Sequence, residues 1–147
     1  MRMILRGIVL TALTLLVMFY VGRNVEGMRP LRSRCEIGAV LSGDSVVLEC
    51  RGAGKTQVDI AGVDAPNIEA PGCAEELAHG TLAAERLQSL IGSGQVQIER
   101  LAGGNAPPLI RLLIDGEDVA ARLVREGLAV AYVGGARINW CEKLGAS

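Results

Sequence analysis

The chain has 147 residues, 50% hydrophobic and 21% charged, with a formal net charge of −1. That length fits one domain and excludes two full-sized ones, and the composition excludes a disordered chain. Residues 1–28 carry Arg2, Arg6 and Arg23 against Glu26, whereas residues 29–147 carry 12 basic and 15 acidic residues, so the body of the chain lacks the basic surplus of a nucleic-acid binder.

Gly7 to Gly22 is an uncharged run rich in Leu, Val and Ile, with Arg2 and Arg6 before it and Arg23 after. As a helix it spans about 24 Å, short of the roughly 30 Å hydrocarbon core of a bilayer, and the flanking arginines extend it by snorkelling. A core helix needs a polar face to meet solvent, and this run has none. A cleaved signal peptide needs small residues at its end, where Phe19, Tyr20 and Val21 stand. The expectation over residues 1–28 is therefore an uncleaved signal-anchor and linker, with a cleaved signal as the alternative. Arg29, Arg32 and Arg34 continue a basic linker suited to anionic headgroups. Counted alone, they favour a cytoplasmic domain.

Ala39-Val40-Leu41 and Val46-Val47-Leu48 are strand-like runs joined by Ser42-Gly43-Asp44-Ser45, which predicts a hairpin over residues 35–50. The four cysteines, Cys35, Cys50, Cys73 and Cys141, contain no CxxC pair and allow three disulfide connectivities. A turn centred between Ser42 and Gly43 sets Cys35 opposite Cys50, close enough for a bridge. Cys73 with Cys141 follows by elimination. Two bridges imply an oxidising compartment, which outweighs the arginine count and places the domain on the periplasmic or extracellular side.

Thr56 to Val63 is predicted as a third strand, with a bulge or close approach at Gly62, and Asp64-Ala65-Pro66-Asn67 leaves the sheet as a loop. Glu75 to Ile91 is the best helix, its stripe drawn through Leu77, Leu82, Leu87 and Leu90 with Ala83 and Ala84. Gly92-Ser93-Gly94 stops it. Gln95 to Arg100 and Leu109 to Ile114 read as strands, the second ended by the hairpin-type turn Asp115-Gly116. Asp118 caps a short helix that Gly127 ends, and the tail to Cys141 reads as irregular. Three strands, a helix, two strands and a helix make an α+β domain over residues 29–147, built on a five-stranded OB-like β-barrel and preceded by the N-terminal hydrophobic helix.

Four segments carry a resemblance. Val40 to Val46 is similar to the "V-x-D-G-D-T" turn of the staphylococcal-nuclease-like family, the thermonucleases, and Ile60 to Pro66 to its "L-x-G-[IV]-D-[AT]-P" strand end. Leu112 to Val119 resembles the family's "Y-V-Y-x-D-G-x-x-V-N" hairpin, and Leu123 to Ala129 its "LVREGLA" helix. Cys73 and Trp140-Cys141 are similar to a cysteine pair in exported bacterial members. The resemblance covers about residues 36–141. It implies an OB-like barrel and calcium-dependent phosphodiester hydrolysis. That chemistry takes carboxylates to hold a hard cation, a Glu to activate water, and two arginines to stabilise phosphoryl charge.

On this resemblance Asp44 and Asp64 fall on the calcium-binding carboxylates, and Ala65 on a residue whose backbone carbonyl is a ligand. The catalytic positions are changed. Asp59 stands where one Arg belongs, Asn67 where the Glu belongs, and Pro107 where the second Arg belongs. Each loss costs roughly 100- to 1,000-fold. Asp59 also sets a negative charge where a phosphate would lie, a repulsion of roughly 4 kcal/mol at 4 Å and an effective dielectric near 20. Glu69 and Arg111 are the candidate substitutes, although Arg111 lies roughly 13 Å along its strand from Pro107. The structural alternatives are a hairpin-turn role for Asp44 and a loop cap for Asp64. His79 reads as a surface residue. Tyr132 and Trp140, the only aromatics after residue 28, are too few for a stacking platform on single strands, and Trp140 is expected to pack on the proposed disulfide.

The expectation is a membrane-anchored, exported thermonuclease-like domain with a degenerate site and a binding or structural role. The alternatives are a weakly active calcium-dependent nuclease and an envelope adaptor for a protein partner. Calcium is the cofactor the resemblance implies; on the degenerate reading there is none. The membrane is the expected partner of the N-terminal segment, nucleic acid is disfavoured by charge, and a protein partner stays unnamed.

Overall fold

The computed structural model describes residues 13, 14, 16, 18, 35–102 and 107–146. The chain divides into two units, residues 1–32 and 33–147. In the first, Leu13, Thr14, Leu16 and Met18 are helical and exposed. The expected anchor, its basic linker and the boundary at residue 28 otherwise lie outside the described residues. Among the described residues no helix is long and apolar enough to cross a membrane.

The second unit begins with the hairpin of β1 (Cys35–Val40) and β2 (Ser45–Cys50). There follow β3 (Gly54–Ile60), β4 (Val63–Asp64), α1 (Ala74–Ser93), β5 (Val96–Arg100), β6 (Leu109–Ile114), β7 (Glu117–Asp118), α2 (Val119–Arg125), β8 (Val130–Ala131) and α3 (Trp140–Lys143). The main sheet runs β1-β2-β3-β6-β5, with β7 paired to β6. All its ladders are antiparallel except β3 with β6. It curls as a mixed half-barrel, so the five principal strands predicted for a barrel are present but take an open order with β1 and β5 at its ends.

The first hairpin reaches the expected cysteine pairing by a different route. Val40 pairs with Val46 and Ala39 with Val47, so the turn centres on Gly43 rather than before it. A bulge between Ile37 and Ala39 then shifts the register, and Cys35 faces Cys50. Both disulfides, Cys35–Cys50 and Cys73–Cys141, are formed.

Alternation sets the core. Val46 and Leu48 of β2, Val58 and Ile60 of β3, and Ile110, Leu112 and Ile114 of β6 are buried on one face. Helix α1 lays Gly80, Ala83, Leu87 and Leu90 on them. Leu77 and Leu82, placed in the stripe from sequence, are exposed. At about 100° per residue they sit roughly 100–120° to either side of Ala83, off the buried face. Asp118 caps α2 as expected, accepting from Ala120 N at 2.9 Å and Ala121 N at 3.3 Å.

The predicted third strand breaks at Ala61-Gly62. Its end, β4, leaves the main sheet and pairs with β8, Val63 opposite Ala131 and Asp64 opposite Val130. The tail is not wholly irregular either, since it supplies β8 and α3, the latter capped by Asn139. These two short elements place the residues described next.

Candidate functional site

Asp44 and Asp64 converge beneath the β1–β2 turn. Gly43 allows the approach: a Cβ there would meet Ala83 Cβ at 2.7 Å and Ala65 Cβ at 2.8 Å, so any side chain would lift the turn off α1 and the loop after β4. Asp44 is 5% exposed. Its Oδ1 accepts from the Ser42 hydroxyl at 2.6 Å, and its Oδ2 from the Ala65 backbone N–H at 3.3 Å. The Asp44 carbonyl accepts from Ile60 N at 2.7 Å, tying the turn to the end of β3. Asp64 is 1% exposed, held by the β4–β8 ladder.

Two carboxylates this buried need a counter-charge, and Arg137 supplies it. Its Nη1 donates to Asp44 Oδ2 at 2.7 Å and to Asp64 Oδ1 at 2.8 Å. Arg137 lies on the connection from β8 to α3. There the Tyr132 hydroxyl donates to the Gly135 carbonyl at 2.6 Å, and the guanidinium stands 5.8 Å from the Tyr132 ring centre. Beyond α3's first residue, Cys141 is bonded to Cys73 at the head of α1. The tail is thus fixed on both sides of Arg137.

Asp59, on β3 opposite Ser45, adds a third carboxylate to this field. Burial pushes its carboxyl above the usual range and Asp44 adds to that, while the Ser45 hydroxyl and Arg137 oppose the rise. Burial also raises Asp64, against the pull of Arg137 and of a hydrogen bond from the Ile138 backbone, with Asp44 adding to the rise. Arg137 itself is held above its ordinary value: burial opposes its charge, but Asp44, Asp64 and Asp59 together prevail.

The other sequence candidates point elsewhere. Asn67 shapes its loop, its Oδ1 accepting from Glu69 N at 2.9 Å and Ala70 N at 3.1 Å, while its own N–H donates to Glu76. Glu69 is exposed beside it. Arg111 stands on the outer face of β6, 3.5 Å from Glu99 and 3.7 Å from Asp118. Pro107 precedes β6 and carries no charge; the neighbouring Pro108 carbonyl accepts from Asp59 N. His79 is half-buried, its Nε2 3.0 Å from the Gly127 carbonyl and its ring 5.9 Å from that of the buried Trp140. Arg137 was not among the sequence candidates. The available signal was slight: it is the only basic residue between Arg125 and Lys143, two positions after Gly134-Gly135.

The model of the staphylococcal nuclease homologue family matches residues 57–143, more than half of the chain. The chain belongs to this family. The match takes in Asp59, Asp64, Asn67, Pro107 and Arg137, and Asp44 lies before it. No curated protein matches the chain. The metal implied for this nuclease homologue is calcium. Calcium takes six to eight oxygens at about 2.3–2.6 Å. Here the space between the Asp44 and Asp64 oxygens holds a guanidinium nitrogen, hydrogen-bonded to both. A cation and that nitrogen cannot share the position, so the residues as arranged do not fit the metal.

Proposed function

We propose that the chain is a membrane-anchored, exported nuclease homologue whose hydrolytic site is degenerate and whose domain serves a binding or structural role. The observation that carries this is the Arg137 bridge between Asp44 and Asp64. It puts a protein cation between the two carboxylates on which the family resemblance sets the metal. The rest of the machinery points the same way. Asp59 is acidic where positive charge is required, Asn67 is spent on its loop, and Pro107 has no donor. Hydrolysis needs a water-activating base and cationic groups free to meet the phosphoryl oxygens, and the guanidinium at this site is taken up by Asp44 and Asp64. Export is supported by the two disulfides, which persist in oxidising compartments. Anchoring is supported by the uncharged Gly7–Gly22 run.

The experiment is a cleavage assay on the full chain, purified in mild detergent with both disulfides intact. End-labelled single-stranded DNA and RNA are incubated with calcium and with chelator, beside Asp44→Ala/Asp64→Ala. Expected is no calcium-dependent cleavage above that control. Cleavage that the control loses would overturn the reading and bring Glu69 and Arg111 back as catalytic groups.

A further inference from the structure

We infer that Arg137 is a tethered counter-ion that has taken the divalent-cation position of this fold: it closes the Asp44–Asp64 pair without metal and bars calcium from carboxylates that would otherwise bind it. The inference deepens the non-hydrolytic reading and rests on it.

The geometry is that of a substitution rather than a surface ion pair. A single nitrogen, Nη1, carries two hydrogens, and it gives one to each carboxylate, at 2.7 and 2.8 Å. The carboxylates are 5% and 1% exposed, too buried to stand as an unpaired dianion. Arg137 brings one positive charge to a field that also contains Asp59, so the site keeps a negative surplus when all three acids are ionised. Asp64 Oδ2, buried, has no hydrogen-bond partner among the described residues. The acids of a cation site are therefore in place, and the guanidinium satisfies them only in part. The Arg137 side chain is 51% exposed and reaches in from a loop. It approaches from the solvent side, as an entering cation must, and its removal opens that position without emptying the core.

The test uses the full chain as wild type, Arg137→Gln, Arg137→Lys and Arg137→Gln/Asp64→Asn. Calcium chloride is titrated by calorimetry, and the thermal midpoint is read with and without about 10 mM calcium. Expected is no binding heat and no midpoint shift for the wild type. Arg137→Gln gains calcium binding at least about tenfold tighter than wild type, with a raised midpoint, and Asp64→Asn abolishes the gain. Calcium binding by the wild type as tight as by Arg137→Gln would overturn the inference, as would a folded Arg137→Gln that binds none. If Arg137→Gln folds only in calcium, the inference holds. If it folds neither with nor without calcium, the inference is overturned, and Arg137→Lys, which keeps a tethered cation, must bind calcium no more tightly than the wild type. The readout is binding, so calcium uptake by a wild type that does not cleave defeats this inference and leaves the functional reading standing, whereas cleavage defeats the functional reading.

Discussion

Two guanidinium–carboxylate clusters in this domain use the same chemistry in opposite surroundings. Between α1 and α2, Arg86 grips Glu126 with two donors, Nε at 2.6 Å and Nη2 at 2.7 Å. Arg122 links Glu126 to Glu117, which also pairs with Arg125. Glu126 is pulled down from 4.5 to about 2, chiefly by the Arg86 hydrogen bonds. Under the β1–β2 turn, Arg137 grips Asp44 and Asp64, and yet Asp64 is raised. The difference is water. Glu126 keeps part of its hydration and its guanidinium hydrogen bonds outweigh what burial takes, whereas Asp64 is almost wholly buried and Arg137 with the Ile138 backbone N–H does not repay the loss. In each cluster the balance between desolvation and donors sets the direction in which the carboxyl moves. The surface cluster fastens two helices, and the buried one bridges two carboxylates brought together by the turn and β4.

The largest test of this contrast releases the tail that carries Arg137. Cys73 and Cys141 close a separation of 68 residues, for which the chain-entropy model gives about 4 kcal/mol. Cys73→Ser/Cys141→Ser is expected to lose about that much in urea unfolding. The Arg137 contacts should loosen with it while the Arg86–Glu126 pair persists, as side-chain NMR of the arginine Nε–H groups would report. Equal loosening of both clusters would break the contrast.

Next in size is Arg137→Gln itself. Removing one partner from a buried pair costs about 3–5 kcal/mol. Because Arg137 is half exposed, water replaces part of its role, and about 2 kcal/mol is expected at neutral pH. Adding Asp64→Asn should restore part of that loss, since the amide needs no counter-charge. A double-mutant cycle without positive coupling would show that the pair acts independently.

The pH dependences have opposite signs. Glu126 is depressed in the folded state, so its contribution is fully present above about 4.5 and is lost as pH falls towards 2. Asp59 is raised, so it favours the fold while protonated, and its contribution falls away as pH rises from 3.8 through its folded value. Asp59→Asn should remove that decline and leave the chain more stable than wild type at pH 7, measured by urea midpoints across pH. Smallest is Glu126→Gln. The pair is a surface one, so at most about 1 kcal/mol is lost at pH 7, with the difference shrinking as pH falls towards about 2, where Glu126 of the wild type is itself half protonated.

What the sequence made legible is what rests on short-range pattern. The hairpin, α1, the strands around Val96 to Ile114 and the Asp118 cap all follow from alternation, helical period and turn residues. The family motifs added Asp44 and Asp64, each embedded in a run of matching neighbours. Arg137 sits in no such run and meets its partners across 93 and 73 positions. Its placement depends on β4 and β8, two residues each, too short for periodicity to register. Leu77 and Leu82 erred differently. Hydrophobic identity does not by itself mean burial, and the helix phase decides which leucines face the sheet.

The bulge at Gly38 has a geometric consequence for the whole half-barrel. Gly38 is supernumerary: Ile37 with Leu48 and Ala39 with Val47 would be successive rungs of an ordinary ladder without it. One additional residue on a strand lengthens that side of the ribbon relative to its partner and bends it. With Cys35 and Cys50 bonded at the open end, the added length cannot relax by slipping. The hairpin is forced to bow, so a mismatch of strand lengths at Gly38 bends the sheet's edge inward along with the packing of Ile37 and Val40 on the core.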